Sequence, residues 1–590
     1  MPTAIYNDSL HVRNGHVMFN ITGAQYEMTN SLGDTDPRGI LVGIEAGDDA
    51  KVTVTHGILY GRLPAEIGVV AGSTGQVTVS GSESSWRGSN PVYIGKEGQG
   101  TLQIENAALF SVFDGVQIGY ASSGEGTAIV TGADSLFSYR NGYIGFEGKG
   151  TLRVENGAKA SSSVGFGYIG EKAGSEGEII VTGAGSVLEG TGGNSYVGNY
   201  GKGTLKIIDG ASAVVSGQSL GKRPGGEGYV IVSGENSLLE TELSLNIGYE
   251  GKGDLKIENG GKVASERVFV ARQSDSEGAL TITGPGSSLS TIAECNIGIS
   301  GAGMALIENG GRVTVRTFGI GSGSGSEGNV TVRGSNSRID SLESFAVGSN
   351  GYGILNIQAG GRVSSGTGNV GQRDGTGEVT VTGVGSMWEI ANDLVLGGTT
   401  IVNASEGAAL LRVENRGRVD ADGTLMVHPG GTITGHAGTI VGNIINNGNI
   451  SPGNSPGLLT FGGSYTQSAG GALNIELGGL LQGTEYDRLS IFGTAQLGGS
   501  LNVSLFDDFV LGDNQSFEIL TATGGVSGSF AGLADGAIVG TFGGYHLHVD
   551  YGINNVRLVT QPVPEPTTVA LLLTGAFLVS GSRRVFRRTV

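Results

Sequence analysis

Cysteine is almost missing from this chain. Cys295 is the only one in 590 residues, so no intrachain disulfide is possible and pairing says nothing about the compartment. Proline is scarce too: 12 prolines, and 112 glycines without a strict Gly-X-Y triplet, exclude collagen. Only 15% of residues are charged and the formal charge is −19. Such a surface repels phosphate backbones and shows no basic stripe with interleaved aromatics, so nucleic acid is not expected as a partner. Helix formers at a 3.6-residue period are sparse. No G-x-S-x-G, H-E-x-x-H or Cys/His pair in a plausible context occurs, and the GGxGxDxUx calcium repeat is absent. No catalytic residue, metal or cofactor is therefore expected. The opening MPTAIYNDSLHVRNGHVMFN lacks a charged region followed by an apolar one, so no secretory signal is visible in it.

What the chain has instead is a repeat. Short strands of the VTVSG type close at Gly81, Gly132, Gly183, Gly234, Gly284, Gly334 and Gly383, at intervals of 51, 51, 51, 50, 50 and 49 residues. A second anchor, Gly-x-Gly-(Thr)-Leu, recurs out of phase at Gly100, Gly150, Gly203, Gly253, Gly303 and Gly353, with a looser copy near Gly407. Ile/Val-Gly pairs, at Gly95, Gly119, Gly145 and Gly170 among others, divide each unit into halves mostly 23 to 28 residues apart, the length of one β-helix coil. Between the glycines, Leu152, Val154, Ile179, Val181, Leu205, Ile207, Val230 and Val232 alternate with polar residues. The chain is expected to be all-β: a parallel, right-handed β-helix or solenoid of about 25 residues per coil, with a C-terminal β cap and a short C-terminal transmembrane helix. Residues 1–40 are expected to cap or start the solenoid, 41–430 to form the repeat, 431–560 a C-terminal β region and cap, and 561–590 a separate tail.

Several columns of side chains follow from the repeat. Asn106, Asn156, Asp209, Asn259, Asn309 and Asn415 share one turn position, and a ladder of side-chain amides satisfying turn backbone groups is expected there in preference to a ligand site. Glu125, Glu176, Glu227, Glu277 and Glu327 form an acidic column, read as a solvated edge rather than a calcium comb. Trp86, Phe137, Leu188, Leu239 and Trp388 follow Gly-x-x-Ser at one phase; core packing is favoured for them over a sugar-binding platform. Asp487 and Arg488 read as a cap turn and its partner, within a cap placed at residues 485 to 558. His546 and His548 share a strand face but lack a third metal ligand nearby.

The tail reads VTQPVPEPTTVALLLTGAFLVSGSRRVFRRTV. Pro564, Glu565 and Pro566 precede an uncharged apolar stretch from Thr567 to Ser582, and Arg583, Arg584, Arg587 and Arg588 follow it. A sixteen-residue helix rises about 24 Å, a short span of a layer of roughly 30 Å. The arginines put the last residues on the cytoplasmic side and everything upstream outside. This order resembles the PEP-CTERM sorting signal of exported bacterial proteins, as distinct from a plain C-terminal anchor. The resemblance implies processing near the triplet by a membrane-embedded exosortase.

From about Gly430 the period breaks into a region with the SPGNSPGLL turn, the LNIEL strand and YDRLSIFGTAQLGGSLNV. These segments resemble the C-terminal part of autotransporter-type β-helix passengers, although no membrane β-barrel of that family follows. An exported, non-catalytic surface or matrix protein that contacts extracellular polysaccharide or neighbouring cells is the expected function. The alternative is a β-helix polysaccharide lyase or hydrolase, which would need carboxylates clustered at non-repeating positions of one face.

Overall fold

The computed structural model describes residues 3–6, 10–28, 38–398, 407–453 and 456–564. It is a parallel β-solenoid of about 18 turns with ~25 residues per coil. The apolar C-terminal stretch, with its expected transmembrane helix, lies outside the described residues. Among the described residues no helix is long and apolar enough to cross a membrane.

Each coil contributes one strand to each of three parallel ladders. Gln99–Glu105, Glu125–Thr131 and Lys149–Glu155 are successive rungs of the first. Leu109–Val112, Leu136–Tyr139 and Lys159–Ser162 belong to the second, and Gly115–Ile118, Asn141–Ile144 and Tyr168–Ile169 to the third. In the first ladder Gly126 pairs with both Gly100 and Gly150, so the two sequence anchors mark the same strand in alternate coils, one at its end and the other at its start. The fifty-residue unit is thus two coils with different spellings of the same strand.

Alternation does the packing. Leu152, Val154, Ile179, Val181, Leu205, Ile207, Val230 and Val232 are all buried, while their strand neighbours face outward. Each such side chain withdrawn from water is worth roughly 1.5–3 kcal/mol, and the interior is a single continuous cluster along the stack. Trp86, Phe137, Leu188, Leu239 and Trp388 lie inside it, on the inner face of the second ladder. Phe110 and Phe137 stack at 4.7 Å, with Trp86 edge-on to Phe110 at 5.4 Å. These residues offer no face to a sugar.

Gly278 shows why glycine recurs at the second position of first-ladder strands. A Cβ there would lie 2.4 Å from the Ile247 carbonyl oxygen and 2.6 Å from the Ala271 nitrogen. The preceding corner of the coil crosses at backbone contact, and only hydrogen fits.

The sequence break near Gly430 does not interrupt the stack. First-ladder strands continue through Gly431–Gly435, Asn449–Pro452, Ala472–Leu477 and Ser500–Leu505. Parallel pairing persists to Ala495–Leu497 with Val526–Gly528. The antiparallel cap is accordingly shorter than the 485–558 expected. Asn555–Pro562 pairs antiparallel with Ser516–Ala522, and Tyr545–Tyr551 and Ile538–Phe542 extend that meander. An antiparallel layer ends a parallel stack because it takes up the open strand edge without offering another coil the same register.

Candidate functional site

At the corner after the first ladder, each coil from Gly81 to Asn415 passes through a left-handed residue. Asn106, Asn156, Asp209, Asn259, Asn309 and Asn415 have φ between 52° and 58°, and Gly132, Gly183, Gly234, Gly284 and Gly334 occupy the same place in the intervening coils. Asn and Asp adopt this conformation more readily than other side chains. The expected amide-to-amide ladder is not what forms. The Asn106, Asn156, Asn259, Asn309 and Asn415 amides donate to the hydroxyls of Ser80, Thr131, Ser233, Thr283 and Thr382 in the coil before, and Asp209 accepts from Thr182. The asparagines stand two coils apart, so their amides are too distant to meet.

The turn backbone is satisfied by a different column, the serine of Gly-x-x-Ser. Buried Ser186, Ser237, Ser287 and Ser337 each accept a backbone N–H at 3.0 Å, from Gly157, Gly210, Gly260 and Gly310. Ser186 and Ser237 also donate to the carbonyls of Thr182 and Ser233. This corner is architecture, with its polar groups engaged within the chain.

The acidic column is half of an alternating charge ladder. Glu125, Glu176 and Glu227 are in register with Lys149, Lys202 and Lys252 of the intervening coils. Lys149 Nζ stands 3.9 Å from Glu176 Oε2, both well exposed, so each such pair adds less than about 1 kcal/mol. The lysines come from the Gly-Lys-Gly anchor itself. Beyond Glu277 the intervening positions are Ala302 and Tyr352, and the ladder loses its cations.

Near the C-terminal end, Asp487 and Arg488 are not each other's partners. Asp487 is buried and accepts the N–H groups of Gly457 at 2.7 Å and Glu476 at 2.9 Å. Burial pushes its carboxyl up to about 7 against those hydrogen bonds. Arg488 turns to Thr521 and Glu518 instead. A groove of about 390 Å³ holds Asp487, Glu476, Asn474 and Asn502. Asp487 is tied through both oxygens to its own backbone and serves to fix the SPGNSPG turn against the LNIEL strand. His546 and His548 lie in the cap, bonded to Thr541 and to the Gly536 carbonyl. Among the described residues no group of three His, Cys, Asp or Glu side chains converges as a metal site. Cys295 is buried in the core.

A feature the sequence reading missed lies on the outer face of the third ladder and the turn that follows it. Tyr143 stacks on Tyr168 at 5.3 Å, and Tyr168 on Tyr196 at 5.0 Å. Tyr143 also meets Phe146 edge-on at 5.4 Å, Phe146 stacks on Tyr120 at 5.2 Å, and Tyr120 meets Tyr93 at 5.0 Å. Cations carry the chain of contacts onward. Lys222 Nζ lies 5.7 Å from the Tyr196 ring centre and 3.4 Å from that of Tyr249, and Arg272 bridges Tyr249 and Phe269 at 5.4 and 4.8 Å. From Tyr93 to Phe269 the third ladder advances seven strand spacings, about 34 Å. The result is an unbroken, half-buried ribbon of aromatic rings and cations along one flank.

Two buried carboxylates anchor this ribbon. Glu66 accepts Lys96 Nζ at 2.6 Å, and Lys96 in turn lies over Tyr93. Glu171, raised above the usual range by burial, accepts the Asn199 amide at 2.9 Å. Burial likewise raises the phenols of Tyr93, Tyr143 and Tyr168, which therefore remain neutral donors throughout the neutral range.

No protein-family model matches the chain, and no curated protein matches it. Among solved structures it is similar to the TibC-catalyzed hyper-glycosylated TibA55-350 fragment, with a TM-score of 0.28 and 14% identity, covering 67% of this chain and 97% of that one. Pro564 is the last described residue. The other residues expected to form a sorting signal, Glu565, Pro566, Arg583, Arg584, Arg587 and Arg588, lie outside the described residues.

Proposed function

We propose that this chain is an exported, non-catalytic rod of the cell surface or extracellular matrix, sorted through its C-terminal PEP-CTERM-like tail and contacting extended polysaccharide along its aromatic flank. The observation that carries this reading is the ribbon from Tyr93 to Phe269. Each coil from Tyr93 to Phe269 sets a ring or a cation of the ribbon on this flank, from the strand or from the turn after it, and a polymer lying along the axis meets one of them at each strand spacing. Each contact is weak, and many in series give avidity through effective concentration. The carboxylates support the non-catalytic reading: the repeat glutamates from Glu125 to Glu277 alternate with lysines, and Asp487 is held by backbone.

The test is affinity as a function of glycan length. Binding of the full-length chain should rise with oligosaccharide length until the ligand spans about 34 Å and then level off. Length-independent binding, or release of new reducing or unsaturated ends on incubation, would favour the lyase or hydrolase alternative instead. For export, the partner is an exosortase-type enzyme. Replacing Pro564, Glu565 and Pro566 should leave the protein unprocessed in the inner membrane, and normal processing of that variant would defeat the sorting assignment.

A further inference from the structure

The aromatic flank is bordered, where the second ladder turns into the third, by a groove of about 420 Å³. Phe113 stands at this corner with 84% of its surface exposed, although a large apolar side chain usually finds cover. One coil on, at the same corner, is Arg140. Its backbone is fixed on both sides, by its N–H to the Asp114 carbonyl at 3.1 Å and by the Ser162 hydroxyl on its own carbonyl at 2.7 Å. Its guanidinium has no carboxylate within ion-pair distance among the described residues. That sets it apart from Arg153, Arg316, Arg333 and Arg418, each paired with Glu or Asp. In a chain of formal charge −19, a positioned arginine without a carboxylate is available for one from outside.

The floor of the groove is a column of hydroxyls. Ser111, Ser138 and Ser161 are in register on three consecutive coils, facing outward. The column ends there: the next residue in register is Glu189, paired with Lys159, and Thr191 of the same coil closes the groove's end. Hydroxyls repeat at the strand spacing of about 4.8 Å, close to the advance per residue of an extended glycan. An aromatic face, a planar cation and a row of small hydroxyls are the three contacts a carboxylated pyranose offers partners for: an apolar ring face, an anion and ring hydroxyls.

We propose that this groove is a subsite for a uronate residue of an extended acidic polysaccharide, with Phe113 against the sugar ring, Arg140 paired with the carboxylate and the serine rungs bonded to the hydroxyls. The proposal rests on the polysaccharide-binding reading above and names its ligand class. Arg140 supplies the selectivity, because a guanidinium fork matches a carboxylate in two parallel hydrogen bonds. Phe113 supplies affinity for any pyranose.

The experiment uses the full-length chain captured on a sensor surface, probed with a polygalacturonate oligomer and with a neutral galactan oligomer of equal length. The wild-type protein should bind the polyuronate more tightly. Arg140→Gln should weaken polyuronate binding about ten-fold or more, the scale of a charge-assisted contact, and leave the neutral glycan unchanged. Phe113→Ser should weaken both. Both side chains are exposed, so far-ultraviolet circular dichroism of the variants should match the wild type. If the wild type binds both polymers and Arg140→Gln does not alter polyuronate binding, the uronate subsite is wrong while the polysaccharide reading stands. If the wild type binds neither polymer, both fall.

Discussion

Gln218 is an amide in the wrong solvent. By register it points inward from the third ladder, between Ser195 of the coil before and Leu245 of the coil after. It is 1% exposed, and neither its Oε1 nor its Nε2 has a hydrogen-bond partner. An unsatisfied buried polar group costs about 1–3 kcal/mol, and here there are two. Leucine has nearly the same volume and needs no partner. Gln218→Leu should therefore stabilise this part of the stack by at least about 2 kcal/mol after relaxation of the neighbours, slowing local opening roughly 30-fold. A long repeat array does not unfold in one step, so the fitting assay is amide hydrogen exchange resolved by peptide across residues 212 to 247, read beside calorimetry. Exchange in Gln218→Leu as fast as in the wild type, or faster, would refute the reasoning. It would mean that the amide is satisfied within the coil and that the interior is not uniformly dry.

Four other substitutions examine the coil geometry and its electrostatics. Gly278→Ala places a methyl group against backbone atoms of the adjoining corner and should lower local stability by about 3 kcal/mol, seen as new proteolytic cleavage near Ile247 and Ala271. The reverse change at the matching position of a later coil, Ala409→Gly, should alter local exchange little, since that coil already accommodates the methyl group. Ala359 holds φ 52° where other coils place Asn, Asp or Gly; Ala359→Asn should raise stability by about 1 kcal/mol, and an unchanged or lowered melting profile would contradict that. Asp487 has its carboxyl raised to about 7 by burial, so the folded state favours the protonated form. Its stabilising contribution is complete below the unfolded value near 4 and is lost as pH rises to about 7. The protection of the Gly457 and Glu476 amides, after correction for the base-catalysed rise of the intrinsic exchange rate, should fall across that window, and the fall should be absent in Asp487→Asn.

The coil length, the alternation and the positions of the buried aliphatic residues were legible because inward side chains of a stacked solenoid obey a period of two within strands and about 25 between them. Trp86 and Trp388 are legible as core for the same reason, and both are buried. The aromatic flank was not legible. Tyr143 and Phe146 sit in two neighbouring columns, one on the strand and one in the turn, and their contacts cross between columns in a way that equal spacing does not reveal. The lysine rungs were hidden by counting at fifty residues, since Lys149 and Lys202 fall in the coils between Glu125, Glu176 and Glu227. The turn chemistry was half visible. The asparagines were found, but their hydroxyl partners and the buried serines that bind the turn backbone lie in neighbouring coils, 25 to 33 residues away for the asparagines. The region after Gly430 changes its glycine spelling while keeping its pairing, so composition suggested a boundary where the hydrogen bonds show none.

The account depends on each coil advancing one strand spacing along the axis. Spin labels at substituted Glu125 and Glu327 measure this directly, because those positions share a first-ladder column and lie eight coils apart. Cys295 is buried, with its thiol pushed up to about 12, and will not compete for the label. Pulsed electron resonance should give a distance of about 38 Å, with each pair of coils removed from the separation shortening it by about 9.6 Å. A distance that does not scale with coil number would contradict the parallel stack, and with it the ribbon and the groove built on its flank.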